Sequence, residues 1–159
     1  MNRIKFQEAI HIMAPQNIIF NYTQDYDNRL VWDTFLRKAE LIQGATEADK
    51  GVKAYCVAHN GLGMETEYVS FNRPKATAIK MTKGPYLFQS FLGSWNFKKV
   101  SEKETEVIFL YSFSLRFPFS LFSNFITHNL RKNVKQRLVD LKSNLEKLPE
   151  NQISLPNEH

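Results

Sequence analysis

The residues with the most reactive side chains are few and scattered along this chain. Its four histidines and its single cysteine, Cys56, form neither a His-x-x-x-His pair nor a cysteine cluster, so the spacing that a metal site needs is missing. No Gly-x-Ser-x-Gly elbow, dinucleotide fingerprint or phosphate-binding loop occurs. The sequence therefore predicts no metal and no cofactor, and it leaves the catalytic residues unassigned.

Aromatic residues are the most informative set. They make up 13% of the chain, which has 13 phenylalanines. Such side chains offer a large apolar area, and tyrosine or tryptophan adds one polar atom that can orient a bound molecule. Any one of them could instead fill the core, because most buried aromatic residues simply pack. The candidate ligand-binding residues are Trp32, Phe35, Tyr55, Tyr68, Phe71, Phe91, Trp95, Phe109, Tyr111 and Phe113. Tyr22 and Tyr26 are expected outside the site.

Polar residues on predicted strands form a second group of candidates. A charge that faces the interior needs a partner or a ligand group, but alternation alone does not tell which face of a strand is inside. Asp27 and Arg29 are instead expected to act as a helix cap and as half of a surface pair. The strand candidates are Glu8, Glu65, Glu67, Lys80, Gln89 and Arg116.

Alternating apolar residues and turn signals divide most of the chain into strands. A strand over residues 3–12 is followed by two short helices, near 17–22 and 29–32. Short polar turns then join consecutive strands, which indicates an antiparallel sheet. The clearest hairpin signal is Asn60-Gly61. The six further strands are predicted over 36–43, 53–59, 63–71, 75–82, 86–100 and 105–116.

A long C-terminal helix completes the predicted order of elements. It is expected to begin at Pro118 and to run for about thirty residues before Pro149, with a buried stripe of apolar residues from Leu121 to Leu148. The concave face of a curved sheet needs such a cover. We therefore expect an α+β fold, with one domain over residues 1–149 and a polar tail over 150–159. In it, a curved antiparallel seven-stranded sheet wraps around the helix and leaves an apolar space.

Basic charge is concentrated on that helix. The chain has a net charge of +5, of which residues 128–147 carry +4. This face either keeps the helix solvated or makes weak contact with an anionic surface through Arg131, Lys132 and Lys135. We predict no specific nucleic-acid partner. No apolar run is long enough to span a membrane, and the first residues lack the apolar core of a signal peptide. Together with the single cysteine, this favours the cytoplasm.

Several stretches resemble one family. They are the opening IHIMAPQNIIFNY, the DYDNRLVWD segment, the Gly44 turn, the Asn72-Arg73-Pro74 corner, FLGSWNF and the long C-terminal helix. In these, residues 3–148 resemble the START-like (SRPBCC) superfamily, in particular its bacterial polyketide cyclase/dehydrase-like and coenzyme-Q-binding-like members. The resemblance implies the helix-grip (START/Bet v 1-like) fold. The polar residues proposed as catalytic in aromatase/cyclase members are not assigned to positions of this chain.

Three functions remain open from the sequence. The first is binding or transport of a hydrophobic small molecule, such as a lipid, a quinone or an aromatic metabolite, in an internal cavity. The second is an enzyme of the polyketide cyclase/dehydrase type, in which a polar pair in the cavity moves protons. The third is an interaction protein that uses the basic C-terminal helix. An inward-facing pair that transfers protons would favour the enzyme, and walls of aliphatic and aromatic residues alone would favour the carrier.

Overall fold

Residues with period-two alternation form seven strands in the computed structural model, which describes residues 3–148. All pairings are antiparallel, and the order across the sheet is β1-β7-β6-β5-β4-β3-β2. The predicted seven-stranded antiparallel sheet is confirmed, and most strand ends lie within one or two residues of the predicted ones. The strands are β1 (Ile4–Ile12), β2 (Leu36–Leu41), β3 (Lys53–Ala58), β4 (Gly63–Asn72), β5 (Ala76–Lys83), β6 (Phe88–Ser101) and β7 (Glu104–Leu115).

Two short helices follow β1, as predicted. They are α1 (Gln16–Gln24), which begins after Pro15, and α2 (Arg29–Trp32). The hairpin predicted at Asn60-Gly61 is also present, and Gly61 has a φ of +91° that residues with a side chain rarely adopt. Its N–H donates to the carbonyl of Ala58 at 2.9 Å.

The C-terminal helix α3 (Ser123–Glu146) is shorter than predicted, at 24 residues. A 3₁₀ turn over Phe119–Phe122 precedes it, where Leu121 N–H donates to the carbonyl of Pro118 at 3.0 Å. The apolar spacing predicted a helix from Pro118, but spacing does not distinguish an α-helix from a tighter turn over so few residues.

The second half of α3, taken from Val134 onwards, lies in the core. Val134, Leu138, Leu141 and Leu145 are buried in one cluster with inward-facing residues of β7 such as Phe113. Polar contacts attach the same half to β1, since Lys142 Nζ donates to the carbonyl of His11 at 2.7 Å. This half therefore fixes how the helix lies across the sheet.

The start of the predicted apolar stripe, over the 3₁₀ turn and the first turn of α3, is exposed, in contrast to the prediction. Leu121 and Phe125 are each 70% exposed and Phe122 is 60% exposed, so the buried stripe begins only further along the helix. The predicted α+β helix-grip arrangement is otherwise confirmed. Within residues 3–148, no helix is long and apolar enough to cross a membrane. The predicted tail, residues 150–159, lies outside the described residues.

Candidate functional site

A cavity of about 490 Å³ lies between the concave face of the sheet and the first half of α3. Phe91, Gly93 and Trp95 of β6 line it, because side chains two positions apart on a strand point to the same face. Residues of the other strands from β2 to β7 continue the wall. Two lining residues, Leu62 and Phe125, are also largely exposed and define what we call the mouth of the cavity.

Six of the ten predicted aromatic residues line this cavity. Four of their rings form a continuous series of contacts, from Phe91 through Tyr111 and Phe109 to Trp95. The ring centroids of Trp95 and Phe109 are 4.1 Å apart, and those of Phe91 and Tyr111 are 4.6 Å apart. The cavity therefore has a large and rigid apolar surface. The six are Phe35, Tyr68, Phe91, Trp95, Phe109 and Tyr111.

The other four predicted residues do not line the cavity. Trp32 is fully buried behind the wall, with its ring 6.1 Å from that of Trp95. Phe113 is also fully buried, packed between the rings of Phe6 and Phe88. Both corrections have the same cause, since the pattern that marks an inward side chain cannot tell core from cavity wall.

Phe71 and Tyr55 are displaced from the cavity for different reasons. The ring of Phe71 packs on Phe20 of α1, with centroids 5.3 Å apart, because α1 covers that end of the sheet. Tyr55 lies on the opposite face of β3 from its neighbour Cys56, which does line the cavity.

Burial raises the pKa of the Cys56 thiol, so it stays protonated and poorly nucleophilic at neutral pH.

A buried polar cluster forms one side of the cavity. Asp33, which is fully buried, accepts hydrogen bonds from Arg29 Nε at 2.9 Å and from Arg137 Nη2 at 2.9 Å. Arg137 Nη1 also donates to the Tyr111 hydroxyl at 2.6 Å. Arg29, Arg137 and Tyr111 all line the cavity. Two guanidinium groups at the cavity wall therefore share one buried carboxylate, and we call Arg29, Asp33, Tyr111 and Arg137 the arginine cluster.

The arginine cluster shifts the pKa values of its members. Burial alone would raise the pKa of Asp33, but the charges and hydrogen bonds of Arg137 and Arg29 lower it below its ordinary 3.8. Burial raises the pKa of Tyr111 even though Arg137 opposes that effect. At neutral pH, Asp33 is therefore ionised and Tyr111 keeps its proton.

Tyrosine hydroxyls form a second polar group beside this cluster. Tyr68 donates to Gln24 Oε1 at 2.7 Å, which leaves Tyr26 as the donor in its 3.2 Å contact with the Tyr68 hydroxyl. Both tyrosines line the cavity, although Tyr26 was expected outside it. Burial raises the pKa of both hydroxyls, so each remains a neutral hydrogen-bonding group.

The arginine cluster was not predicted from the sequence. Arg29 was expected to be half of a surface pair and Arg137 belongs to the basic residues counted on the helix, whereas both are only 6% exposed. Two signals were present in the sequence. Arg29 and Asp33 are four residues apart, and Arg137 lies three positions after Val134 on the buried stripe of α3. The contact between Arg137 and Asp33 joins distant parts of the chain, so no local pattern reveals it.

The predicted polar candidates on the strands lie away from the cavity. Glu8 pairs with Arg131 at 3.0 Å, and Glu67 pairs with Lys80 at 3.5 Å. Glu65 accepts from the Thr82 hydroxyl, the guanidinium of Arg116 stacks on Tyr86, and Gln89 is exposed.

The part of the chain that the structure describes holds no group of three or more histidine, cysteine or acidic residues that could bind a metal.

Comparison with known proteins agrees with this architecture. A family model described as "Polyketide cyclase / dehydrase and lipid transport" matches residues 3–146. No curated protein matches the chain.

Solved structures with low sequence identity share the fold. The Zhui aromatase/cyclase from Streptomyces sp. R1128 superposes with a TM-score of 0.77 at 12% identity, over 92% of this chain and 95% of that one. A START superfamily protein from Mycobacterium smegmatis gives 0.63 at 9% identity, over 86% and 98%. Major latex-like protein 151 from Panax ginseng gives 0.69 at 12%, over 92% and 99%. With the family match across almost the whole described chain, the protein belongs to the polyketide cyclase/dehydrase and lipid transport family.

Proposed function

We propose that this protein binds and carries one hydrophobic small molecule, such as a lipid, a quinone or an aromatic metabolite, inside its cavity. The observation that carries the proposal is an aromatic-walled cavity of about 490 Å³ with a mouth at the surface. Pockets for small molecules have volumes of roughly 300–1,000 Å³ and mostly apolar walls. We also propose that the protein acts in the cytoplasm, which its single cysteine favours.

The six lining aromatic residues are the proposed binding surface. An apolar molecule that enters the cavity gains about 25 cal/mol for each Å² removed from water. If it buries roughly 300 Å², the gross gain is about 7 kcal/mol before the cost of association, which corresponds to affinities no tighter than micromolar. Such affinities suit a carrier, because its ligand must also leave.

The enzyme alternative, a cyclase/dehydrase, is less well supported by the lining residues. Within residues 3–148, no histidine, aspartate or glutamate lines this cavity. The remaining titratable groups on its wall are two arginines, three tyrosines and Cys56, and the pKa values of the tyrosines and the cysteine are raised. None of these groups is a base at neutral pH, whereas enolisation or dehydration needs one. These residues can orient or polarise a carbonyl, which supports binding.

The interaction-protein alternative loses part of its basis. Arg137, one of the basic residues counted on the helix face, is buried against Asp33. Arg131 pairs with Glu8 at 3.0 Å, and Lys135 Nζ lies 4.0 Å from the same carboxylate. The basic face is therefore smaller and more nearly neutral than its sequence indicates.

Titration with N-phenyl-1-naphthylamine, a neutral apolar probe that fluoresces in apolar surroundings, tests the proposal. We expect saturable binding of one probe per chain. The variant Gly93→Leu should weaken it at least about tenfold, because the new side chain would project between Ile79 and Tyr111 into the cavity. A matched control on the same strand is Gln89→Leu, at an exposed position. Failure of the folded wild type to take up the probe, or equal loss in both variants, would contradict the proposal.

A further inference from the structure

The arginine cluster carries one positive charge more than its partners neutralise. Among residues 3–148, Asp33 is the only acidic residue within salt-bridge distance of Arg29 or Arg137. All three side chains are at least nine-tenths buried. A buried charge is unfavourable unless an opposite charge or hydrogen bonds compensate it. The geometry therefore provides a place for one further negative charge.

Aromatic rings stabilise the cluster without neutralising it. The guanidinium of Arg137 lies 5.1 Å from the ring centroid of Phe109 and 5.2 Å from that of Phe35. That of Arg29 lies 5.0 Å from the Trp32 ring. Such cation–π contacts stabilise the two buried arginines, but the rings are neutral and leave the excess charge in place.

Hydrogen-bond donors also remain free for a ligand. Within residues 3–148, the contacts of Arg29 use its Nε and Nη1 atoms and leave Nη2 for another acceptor. The Tyr111 hydroxyl accepts from Arg137 and keeps its own proton to donate. Since both residues line the cavity, these donors and the excess charge occur together at one part of its wall.

We infer that the molecule bound in this cavity is an apolar carboxylate, whose head group is held by Arg29, Arg137 and Tyr111 while its apolar body lies along the aromatic wall. This inference rests on the proposed function and adds the ligand class to it. Guanidinium groups suit a carboxylate because their planar donors match its two oxygens. With the ligand bound, the two arginines would face two acidic groups, Asp33 and the carboxylate of the ligand, and their charges would balance.

Dodecanoate and dodecanol form a matched pair to test this inference, since they share a chain and differ in head group. Each is used to displace N-phenyl-1-naphthylamine at neutral pH. We expect dodecanoate to bind about 10- to 100-fold more tightly than dodecanol, as one charge-assisted hydrogen-bonded contact provides. Equal affinities of acid and alcohol would overturn the inference without affecting the proposed function. Absence of probe binding would overturn both.

Substitutions inside and outside the arginine cluster test whether its arginines cause the preference for dodecanoate. Arg137→Met should reduce the preference for dodecanoate to about threefold or less. It leaves Arg29 paired with Asp33, so the charges stay balanced, and Arg29→Met serves in the same way if the first variant does not fold. Arg131→Met is the matched control, because it removes a positive charge from the same helix outside the cavity. Loss of the preference in Arg131→Met, or its persistence in both cluster variants, would contradict the assignment.

An independent observation concerns the segment that precedes and begins α3. Residues 117–125 contain no charged side chain, and Phe117, Leu121, Phe122 and Phe125 are each at least 60% exposed. Such a concentration of exposed aromatic and aliphatic side chains is unusual unless it contacts another apolar phase. Because Phe125 also lines the cavity, this apolar segment is continuous with the mouth.

We propose that the apolar segment, residues 117–125, inserts into the surface of a bilayer that contains anionic phospholipids. Exposed Lys132 follows it on α3, next to Arg131, which pairs with Glu8, and half-buried Arg116 precedes it. This order, an apolar patch flanked by basic residues, suits the boundary between acyl chains and anionic head groups. In this position the mouth would face the lipid, so an apolar ligand could pass between bilayer and cavity without crossing water.

Co-sedimentation with vesicles of phosphatidylcholine and phosphatidylserine tests the second proposal. Replacing Leu121 and Phe122 together with serine should lower vesicle binding at least about tenfold, while probe uptake is unchanged, because neither residue lines the cavity. Val139→Ser, which alters an exposed apolar residue elsewhere on α3, is the control. The proposal would be overturned if the wild type did not bind vesicles or if all three proteins bound them equally. It would also be overturned if the double serine variant lost the ability to form a dimer and kept its vesicle binding.

Discussion

At the scale of single residues, Asp33 determines the arrangement of the site. It lies at the end of a four-residue helix and binds Arg29 from that helix and Arg137 from α3. The carboxylate thereby holds the long helix against the segment that follows α1. It also keeps two guanidinium groups together that would otherwise repel each other at the cavity wall.

Replacing Asp33 should therefore strongly destabilise the fold. Asp33→Asn keeps the shape of the side chain but leaves two buried arginines without a counter-charge, so we expect a loss of about 3–5 kcal/mol in the free energy of unfolding, measured by urea denaturation. Glu40→Gln removes a carboxylate from the exposed pair with Lys38 and should cost less than about 1 kcal/mol. Similar losses for the two variants would show that the cluster does not stabilise the fold.

Acid should lower the free energy of unfolding, because it protonates the same carboxylate. The pKa of Asp33 is lower in the folded state than its ordinary 3.8, so the unfolded chain takes up the proton first as the pH falls. The stabilisation is fully present above that ordinary value and is lost as the pH drops below it. We expect the free energy of unfolding to fall more steeply in this range for the wild type than for Asp33→Asn. Parallel pH profiles would contradict this assignment.

At the scale of elements, α3 has two halves with different surroundings. Its second half packs in the core through Val134, Leu138 and Leu141, and its first half spans the cavity with exposed Phe125 near its start. One continuous helix thus anchors the molecule at one end and leaves an opening at the other. The fold requires the anchored end of the helix, and a ligand would enter and leave through the opening at the other end.

Substitutions along α3 should separate its buried and exposed faces. Leu138→Asp places an unpaired charge in the core, where the side chain is 2% exposed, and should lower the free energy of unfolding by several kcal/mol. Lys132→Glu on the exposed face should change it by less than about 0.5 kcal/mol. Thermal melting of both variants measures the difference. Equal melting temperatures would mean that the buried stripe is assigned wrongly.

The elements were largely predictable from the sequence, because each depends on local pattern. Alternation along β7 and the Asn60-Gly61 turn are properties of a few adjacent residues, and both were confirmed. The predicted burial at the beginning of the helix was wrong because periodic apolar residues were equated with burial. Periodicity shows which residues share a face, but it does not show whether another element covers that face.

At the scale of the whole molecule, the cavity results from the curvature of the sheet and the length of α3. Six of the aromatic candidates line the cavity, five of them on strands, because residue type and alternation are visible in one dimension. They could not separate wall residues such as Trp95 from the core residue Trp32 directly behind it. The excess charge was also hidden, because pairing of Arg137 with Asp33 needs the complete fold.

Nuclear magnetic resonance during a ligand titration tests most directly the central claim that the cavity takes up an apolar molecule. The backbone amide signals of the ¹⁵N-labelled protein are followed as N-phenyl-1-naphthylamine is added to one equivalent. We predict shifts that saturate at one probe per chain and are largest at cavity residues such as Thr66, Ile79 and Gly93. Shifts confined to the apolar segment at residues 117–125, or no saturable shift in the folded protein, would contradict the account.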